Sequence, residues 1–132
     1  MKKYLFLLIF VGLSIGLKAQ DNTYKQKNDT TLYIAVQVQP TFPGGQAAFG
    51  QFLREHIVYP DADRQNHVAG FVYVQFTIEK DGSLSHIKSV RAPSETLAAE
   101  AIRVMSLTKW IPGQQNGYTV RVRFTVPVKF SL

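Results

Sequence analysis

Side chains that could perform catalysis or hold a metal are present in this chain, but they are scattered. The three histidines, His56, His67 and His86, do not recur at the i, i+4 spacing that places two ligands on one helix face. Ser83 and Ser94 lack the strand–turn–helix surroundings of a nucleophile elbow. We therefore predict no catalytic residue, no metal site and no cofactor, and we predict that the protein is not an enzyme.

The acidic residues have structural explanations that need no chemistry. Asp81 belongs to a turn, whereas Asp61 and Asp63 begin a helix, where negative charge is favourable. Glu95 and Glu100 are expected on the solvent face of a later helix. No two carboxylates stand out as a pair for general acid–base work.

The N-terminus predicts export. Two lysines follow Met1, an apolar run covers residues 4–17, and a small residue, Ala19, stands at its end. This arrangement is typical of a secretory signal peptide over residues 1–19, and the run is short for a membrane span. We expect cleavage after Ala19 or Gln20 and a periplasmic location. The alternative is an uncleaved anchor in the inner membrane with the rest of the chain facing the periplasm.

Composition limits the partners. The formal net charge is +6, and removing Lys2, Lys3 and Lys18 leaves 12 basic against 9 acidic residues, or +3. These charges are not clustered in the way that nucleic-acid binding requires, so we predict no nucleic-acid partner. With no cysteine in the chain, neither a disulfide nor a thiolate metal site can form, and core packing alone must hold the fold.

The last stretch of the chain is the element on which the predicted fold depends. Apolar and polar residues alternate over 117–132, which predicts a β-strand with one buried face and one basic face. Pro127 cannot donate to a ladder, and Arg121, Arg123 and Lys129 suit an edge that must not aggregate. This strand is therefore predicted at an edge of the sheet, where an extended segment of another chain can add.

The rest of the chain supplies two main helices, a further turn or two of helix, and two more strands. Residues 20–35 predict a short linker or extended arm, and residues 36–132 the folded domain. Apolar spacing predicts a stripe of Phe49, Phe52, Leu53 and Ile57 that packs into the core. The return strand breaks strict alternation, which predicts a bulge near its turn. The predicted elements are helices over 46–57 and 61–66, strands over 71–79 and 84–91, a helix that begins at Pro93-Ser94, and the last strand.

Connection rules then give the architecture. A right-handed crossover leaves room for one strand between the second and third strands, and the first strand fills it. The prediction is an α+β fold with two helices on one face of a three-stranded antiparallel sheet and an extra N-terminal extended arm.

Several short motifs occur in an order that resembles a known family. The motifs are Phe42-Pro43-Gly44-Gly45, Tyr59-Pro60, the strand over 70–76, Asp81-Gly82-Ser83-Leu84 and Lys109-Trp110-Ile111-Pro112-Gly113. In these motifs the chain resembles the C-terminal domain of TonB-type energy transducers, in the form common in Bacteroidetes, and the resemblance covers about residues 36–132.

This resemblance implies a periplasmic module of energy-coupled transport across the outer membrane. Its partner would be a TonB-dependent outer-membrane transporter, whose N-terminal box would add as a strand to the last strand of the sheet. The peptide-binding residues implied are Val120, Arg121, Val122, Arg123, Phe124, Thr125 and Val126, together with His56, Tyr59 and Pro60.

The chain departs from a full transducer in two respects, of which the first is that the segment in the place of its membrane anchor is predicted to be a cleavable signal peptide. Residues 20–39 contain no proline, so the long Pro-rich spacer of such a protein is missing here. An inner-membrane motor complex would be a partner only if the N-terminal segment is an anchor. The alternative is a stand-alone exported interaction or dimerisation module that does not transduce energy, in which the edge strand pairs with a second copy.

Overall fold

The computed structural model describes residues 30–132, nearly all of which belong to one compact unit, Thr31–Leu132. The predicted signal peptide and the linker as far as residue 29 lie outside the described residues. The predicted α+β fold is confirmed, with helices on one face of a mainly antiparallel sheet and an extended arm before them. The sheet has five strands and not the predicted three, because two short strands, one of them parallel, also pair with the last strand. The strands are β1 (Leu32–Tyr33), β2 (Gly70–Ile78), β3 (Leu84–Arg91), β4 (Gly113–Gln115) and β5 (Tyr118–Phe130), and the helices are α1 (Gly45–His56), α2 (Asp61–Gln65) and α3 (Glu95–Met105).

The sheet has β2 at its centre, as predicted. The strand order is β1-β5-β2-β3, and β4 pairs separately with β5. β5 and β2 are antiparallel over their full overlap, from the Ile78–Val122 pair to the Gly70–Phe130 pair. β5 is 13 residues long because it serves two ladders: residues 118–120 pair with β4, and residues 122–130 pair with β2.

β3 contains two irregularities in its pairing with β2. One lies between the Gln75–Lys88 and Thr77–Ser85 pairs, where His86 has a φ of 52°. The other leaves Val90 between the paired Ser89 and Arg91, with half of its surface exposed. The first is the bulge predicted near the turn, and the second is an additional bulge at Val90.

Helix α3 closes the core over β2 and β5. Its N-cap is Ser94, as predicted, and the Ser94 hydroxyl accepts from the Leu97 N–H at 3.1 Å. One side of the helix, which carries Leu97, Ala101 and Met105 on successive turns, is buried against the even-numbered residues of the two long strands. The central core consists of Val72, Val74, Phe76, Ile78, Leu97, Ala101, Met105, Trp110, Val126, Val128 and Phe130.

Helix α1 is packed less tightly than its apolar stripe predicts. None of its residues is fully buried, although Phe49 and Leu53 contact the core from its edge. Phe52 instead stacks on His56, with ring centroids 4.0 Å apart. The predicted packing into the core is therefore confirmed for Phe49, Leu53 and Ile57, but their burial is partial because one flank of the helix faces an open gap beside the sheet.

The hairpin between β2 and β3 is fixed to the segment that follows α3. The Trp110 N–H donates to the Gly82 carbonyl at 2.9 Å, and Gly82 has a φ of 86°. A Cβ atom on Gly82 would lie 2.0 Å from the Trp110 carbonyl oxygen. Only glycine therefore permits this approach, which ties the turn to Trp110.

Comparing Gly82→Ala with Gly117→Ala separates two costs of adding a Cβ atom. One is the steric clash with neighbouring atoms, and the other is the strain of a positive φ. Gly117 has a similar φ of 79°, but a Cβ atom there would meet nothing within 4 Å. We expect Gly117→Ala to lower the free energy of unfolding by about 1 kcal/mol. Gly82→Ala should cost at least about 3 kcal/mol, because backbone must also move. Equal losses in urea unfolding would contradict the close contact.

Candidate functional site

The outer edge of β5 is open over most of its length. Within residues 30–132, positions 123–130 of this strand pair with β2 alone. Pro127 is the partner of Tyr73, and a proline nitrogen is accommodated where it points away from the ladder. Backbone groups of alternate residues point to the same side, so we infer that Arg123, Thr125 and Lys129 direct their N–H and C=O groups outward.

A groove runs beside this edge, on the helix side of the sheet. Its volume is about 880 Å³, and it separates α1 from the C-terminal half of β5. Phe49, Gly50 and Leu53 line it on the helix side, and Phe124 and Val126 line it on the strand side. This is the gap that leaves the stripe of α1 half-buried.

Aromatic rings form the floor of the groove. The Trp110 ring lies 5.6 Å from Phe42, 5.3 Å from Phe49 and 6.0 Å from Phe124, between ring centroids. Its indole N–H is satisfied, because it donates to the Thr108 hydroxyl at 2.9 Å. The floor is therefore apolar, with no buried polar group awaiting a partner.

The structure narrows the predicted docking segment of β5. Val120 pairs with Gly113, and Arg121 and Val122 are aligned in parallel with Leu32 and Tyr33 of β1. These three positions already have strand neighbours. The open edge begins beyond them, and it includes the other predicted residues, which are Arg123, Phe124, Thr125 and Val126.

The loop predicted to contact the same ligand lies only partly at the groove. Tyr59 lines it, makes an edge-on contact with Phe130 and donates its hydroxyl to the Val68 carbonyl. His56 and Pro60 are not among the residues that line it. The His56 Nδ1 instead donates to the Phe52 carbonyl at 2.8 Å. A role for any of these residues in binding stays a prediction.

A buried carboxylate holds this loop in place. The Val58 N–H donates to Glu100 Oε2 at 2.6 Å, and Arg103 donates to both oxygens of Glu100 at 2.7 and 2.8 Å. Arg103 also donates to the His56 carbonyl at 2.9 Å. Two residues of α3 thereby fix the end of α1 and the loop that carries Tyr59.

The expectation that Glu100 faces solvent is wrong, because its surface is only 9% exposed. The hydrogen bonds from Arg103 lower its pKa, against the opposing effect of burial, and the Val58 N–H lowers it further. The i, i+3 spacing of Glu100 and Arg103 was the available signal in the sequence. Their third partner, the loop, could not be inferred from it.

Asp63 is a second acidic residue with an unexpected place. It is buried at the start of α2, where it accepts from the hydroxyls of Ser94 and Thr96. Its role is thus to join α2 to the N-cap of α3. Among residues 30–132, no group of three or more histidine, cysteine, aspartate or glutamate residues is placed to hold a metal ion.

The family model for the Gram-negative bacterial TonB protein C-terminal matches residues 55–132, more than half of the chain. The chain belongs to the TonB C-terminal family. Members are non-enzymatic interaction domains of the cell envelope that serve TonB-dependent transport. Within the described part of the chain, no helix is long and apolar enough to cross a membrane.

A solved TonB domain shows the same fold. A solution structure of the Helicobacter pylori TonB-CTD, residues 194–285, is similar with a TM-score of 0.52 and 22% identity, over 64% of this chain and 90% of that chain. A second one, residues 179–285, has a TM-score of 0.49 and 24% identity, over 68% of this chain and 86% of that chain. Comparison with curated proteins gives no match.

The match to the TonB family model does not reach most of α1. Phe42, Phe49, Gly50 and Leu53 all precede residue 55, where the matched region begins. The residues that line the groove on the helix side therefore lie outside the region that the family model matches.

Glu100→Gln tests how strongly the hydrogen bonds of Glu100 hold the loop before Tyr59. At pH 7 we expect a loss of about 2 kcal/mol in the free energy of unfolding, because a neutral amide weakens the bonds to Val58 and Arg103. The folded-state pKa of Glu100 lies below the ordinary value of 4.5, so its contribution is present above that value and disappears as pH falls through the folded pKa. The two proteins should therefore converge in stability in acid.

Urea unfolding at about pH 7 and about pH 3 measures this convergence. The control is Glu95→Gln, which removes an exposed glutamate from the first turn of the same helix and should change stability only slightly. A difference between Glu100→Gln and the parent protein that is the same at both pH values would contradict the assignment.

Proposed function

We propose that this TonB C-terminal domain binds the N-terminal box of a TonB-dependent outer-membrane transporter by β-strand addition. The observation that carries the proposal is the open edge of β5 over residues 123–130 beside an apolar groove. The box would lie along this edge as an extended segment. Its backbone would pair with the outward groups of Arg123, Thr125 and Lys129.

The groove supplies the specificity that backbone pairing lacks. Side chains of an added strand alternate between the two sheet faces, so every second one, about 7 Å apart, would enter the groove toward α1. There they would meet Trp110, Phe124 and Leu53, and Arg54 also lines the groove. A suitable peptide therefore has apolar residues at alternating positions and tolerates an acidic residue at an end.

Tyr59 would contribute to peptide binding by forming part of the groove wall. Its ring contacts Phe130 and borders the groove, and the Glu100–Val58 bond keeps the preceding loop in register. A wall that is ordered before binding reduces the entropy lost on association. His56 would act indirectly, through its carbonyl bond to Arg103, and Pro60 through the geometry of the turn.

The place of the protein in transport depends on its N-terminus. If residues 1–19 are cleaved, the domain is a free periplasmic binder of transporter boxes. If they form an anchor, an inner-membrane motor complex becomes a second partner. The small number of residues between residue 20 and the domain favours the first arrangement, because the reach of a linker depends on its length.

Thr125→Pro tests the edge directly. Proline removes an outward N–H from the middle of the open edge while leaving the bonds to β2 intact, so the domain should stay folded. We expect affinity for a synthetic box peptide to fall at least about tenfold, measured by calorimetry. Thr125→Val is the matched control, because it keeps the N–H and should bind normally. Full binding by folded Thr125→Pro would exclude this edge.

Filling the groove tests the second half of the proposal. Gly50 lines the groove, and a Cβ atom there would meet only the tip of Arg54 at 3.4 Å. Gly50→Leu should raise helix stability by about 0.5–1 kcal/mol and block peptide side chains. Ala47→Leu, on an exposed position of the same helix that does not line the groove, is the control. Unchanged peptide affinity in Gly50→Leu would show that the groove is not used.

Self-association through the same edge is the competing outcome. Sedimentation at increasing concentration distinguishes it, since a dimer that forms through β5 would dissociate in Thr125→Pro. A monomeric parent protein that binds box peptide supports the proposal, and a stable dimer that excludes the peptide contradicts it.

A further inference from the structure

The face of the sheet opposite the helices carries cations that have no acidic partner. Lys88 and Arg91 on β3, and Arg123 and Lys129 on β5, are all exposed, and none forms an ion pair with another residue in the range 30–132. Arg121 differs, because it donates to Glu79 at 2.6 Å. Apart from this neutralised pair, the face presents positive charge only.

A shallow recess concentrates two of these cations. It has a volume of about 450 Å³, and Lys88, Arg123, Gln75 and Thr77 line it. Lys88 is aligned with Gln75, and Arg123 is aligned with Thr77, on opposite sides of β2. Since each strand is about 5 Å from the next, the two cations flank a strip of polar side chains about 10 Å wide.

An exposed apolar patch adjoins the recess along β2. Phe71 and Tyr73 are 46% and 36% exposed, and their ring centroids lie 6.3 Å apart. Arg91 is the cross-strand partner of Tyr73, and Lys129 is the partner of Phe71. The patch therefore also has a cation on each side.

We propose that this outer face binds an acidic, extended polypeptide segment of a partner protein, with carboxylates over the Lys88–Arg123 recess and an apolar side chain on Phe71 and Tyr73. The surface is distinct from the edge groove, which lies on the helix side. Charge complementarity identifies the partner, because arginine and lysine flanking a polar strip suit carboxylate groups.

Two other occupants fit less well. A second copy of the chain would bring the same cations together, and like charges across an interface are unfavourable. A flat anionic membrane cannot enter a recess between strands, and Phe71 and Tyr73 lie side by side on the sheet rather than at the tip of a loop. A narrow chain with acidic side chains can reach both features.

The test uses a peptide of alternating glutamate and serine, about twelve residues long to match β5. In amide NMR of the full chain, we expect shifts centred on Gln75, Thr77 and Lys88. Affinity should fall when NaCl is raised from about 0.05 to about 0.5 M, since exposed charges are then screened. A lysine–serine peptide of the same length should not bind.

Lys88→Glu should weaken binding of the acidic peptide about fivefold or more, because it reverses one of the two charges at the recess other than that of Arg121, which is paired with Glu79. Lys109→Glu makes the same charge change at an exposed site outside the recess and should have little effect. Equal affinity in both variants would overturn the proposal, provided that urea unfolding shows both to be folded.

Two further measurements separate this face from its rivals. Gly50→Leu fills only the groove on the helix side, so it should leave acidic-peptide binding intact even when box-peptide binding is lost; joint loss would overturn a separate site. Vesicles of phosphatidylglycerol provide the membrane comparison. Vesicle binding that Lys88→Glu abolishes, without binding of the peptide, would replace the polypeptide with a lipid surface.

Discussion

The packing of Trp110 is the interaction on which the rest of this domain depends. Its ring contacts Phe42 of the arm, Phe49 of α1, Phe76 of β2 and Phe124 of β5, so one side chain joins four parts of the chain. Aromatic pairs of this kind each contribute about 0.5–1.5 kcal/mol beyond the area they bury. The Trp110 backbone adds a bond to the Gly82 turn. Because these contacts hold α1 at one end of its stripe, the remainder of the helix can stand away from β5, and the groove is the space that results.

Buried polar groups decide how rigid the walls of that groove are. Glu100 and Arg103 hold the end of α1 and the loop before Tyr59, whereas Asp63 holds α2 against the start of α3. Each carboxylate is fully hydrogen-bonded, which is the condition under which burial of a charged group is tolerated. Hydrogen bonds are directional, so they fix the path of a loop that apolar contacts alone would leave variable. Preorganisation of this kind suits a domain whose partner is a flexible peptide.

β5 presents three distinct surfaces to three different kinds of contact. Its even-numbered side chains form the core, its odd-numbered side chains give the outer face its charge, and its backbone is open along one edge. The arm covers part of that edge, since Leu32 and Tyr33 pair with Arg121 and Val122, and the arm then bonds to β4 at Val38 and to Ile111 at Thr41. Pro127 and exposed cations protect the uncovered part from uncontrolled pairing. An edge protected in this way can still accept a strand whose side chains fit the groove.

The sequence by itself determined the order and type of the main elements, because each depends on local patterns. Alternation over β2 and β5, the Ser94 cap, the turn glycines and Pro127 predicted two helices on an antiparallel sheet with β5 beyond β2. Local patterns could not place Glu100, whose partner Val58 is 42 residues away, or limit the open edge, which depends on where β1 and β4 pair. They predicted that the α1 stripe packs into the core but not that it stays half-buried, since periodicity shows which side of a helix is apolar but not how closely that side meets its neighbour. The tertiary structure alone decided that gap, because it is set by the distance between α1 and β5, which contacts remote in sequence fix through Trp110.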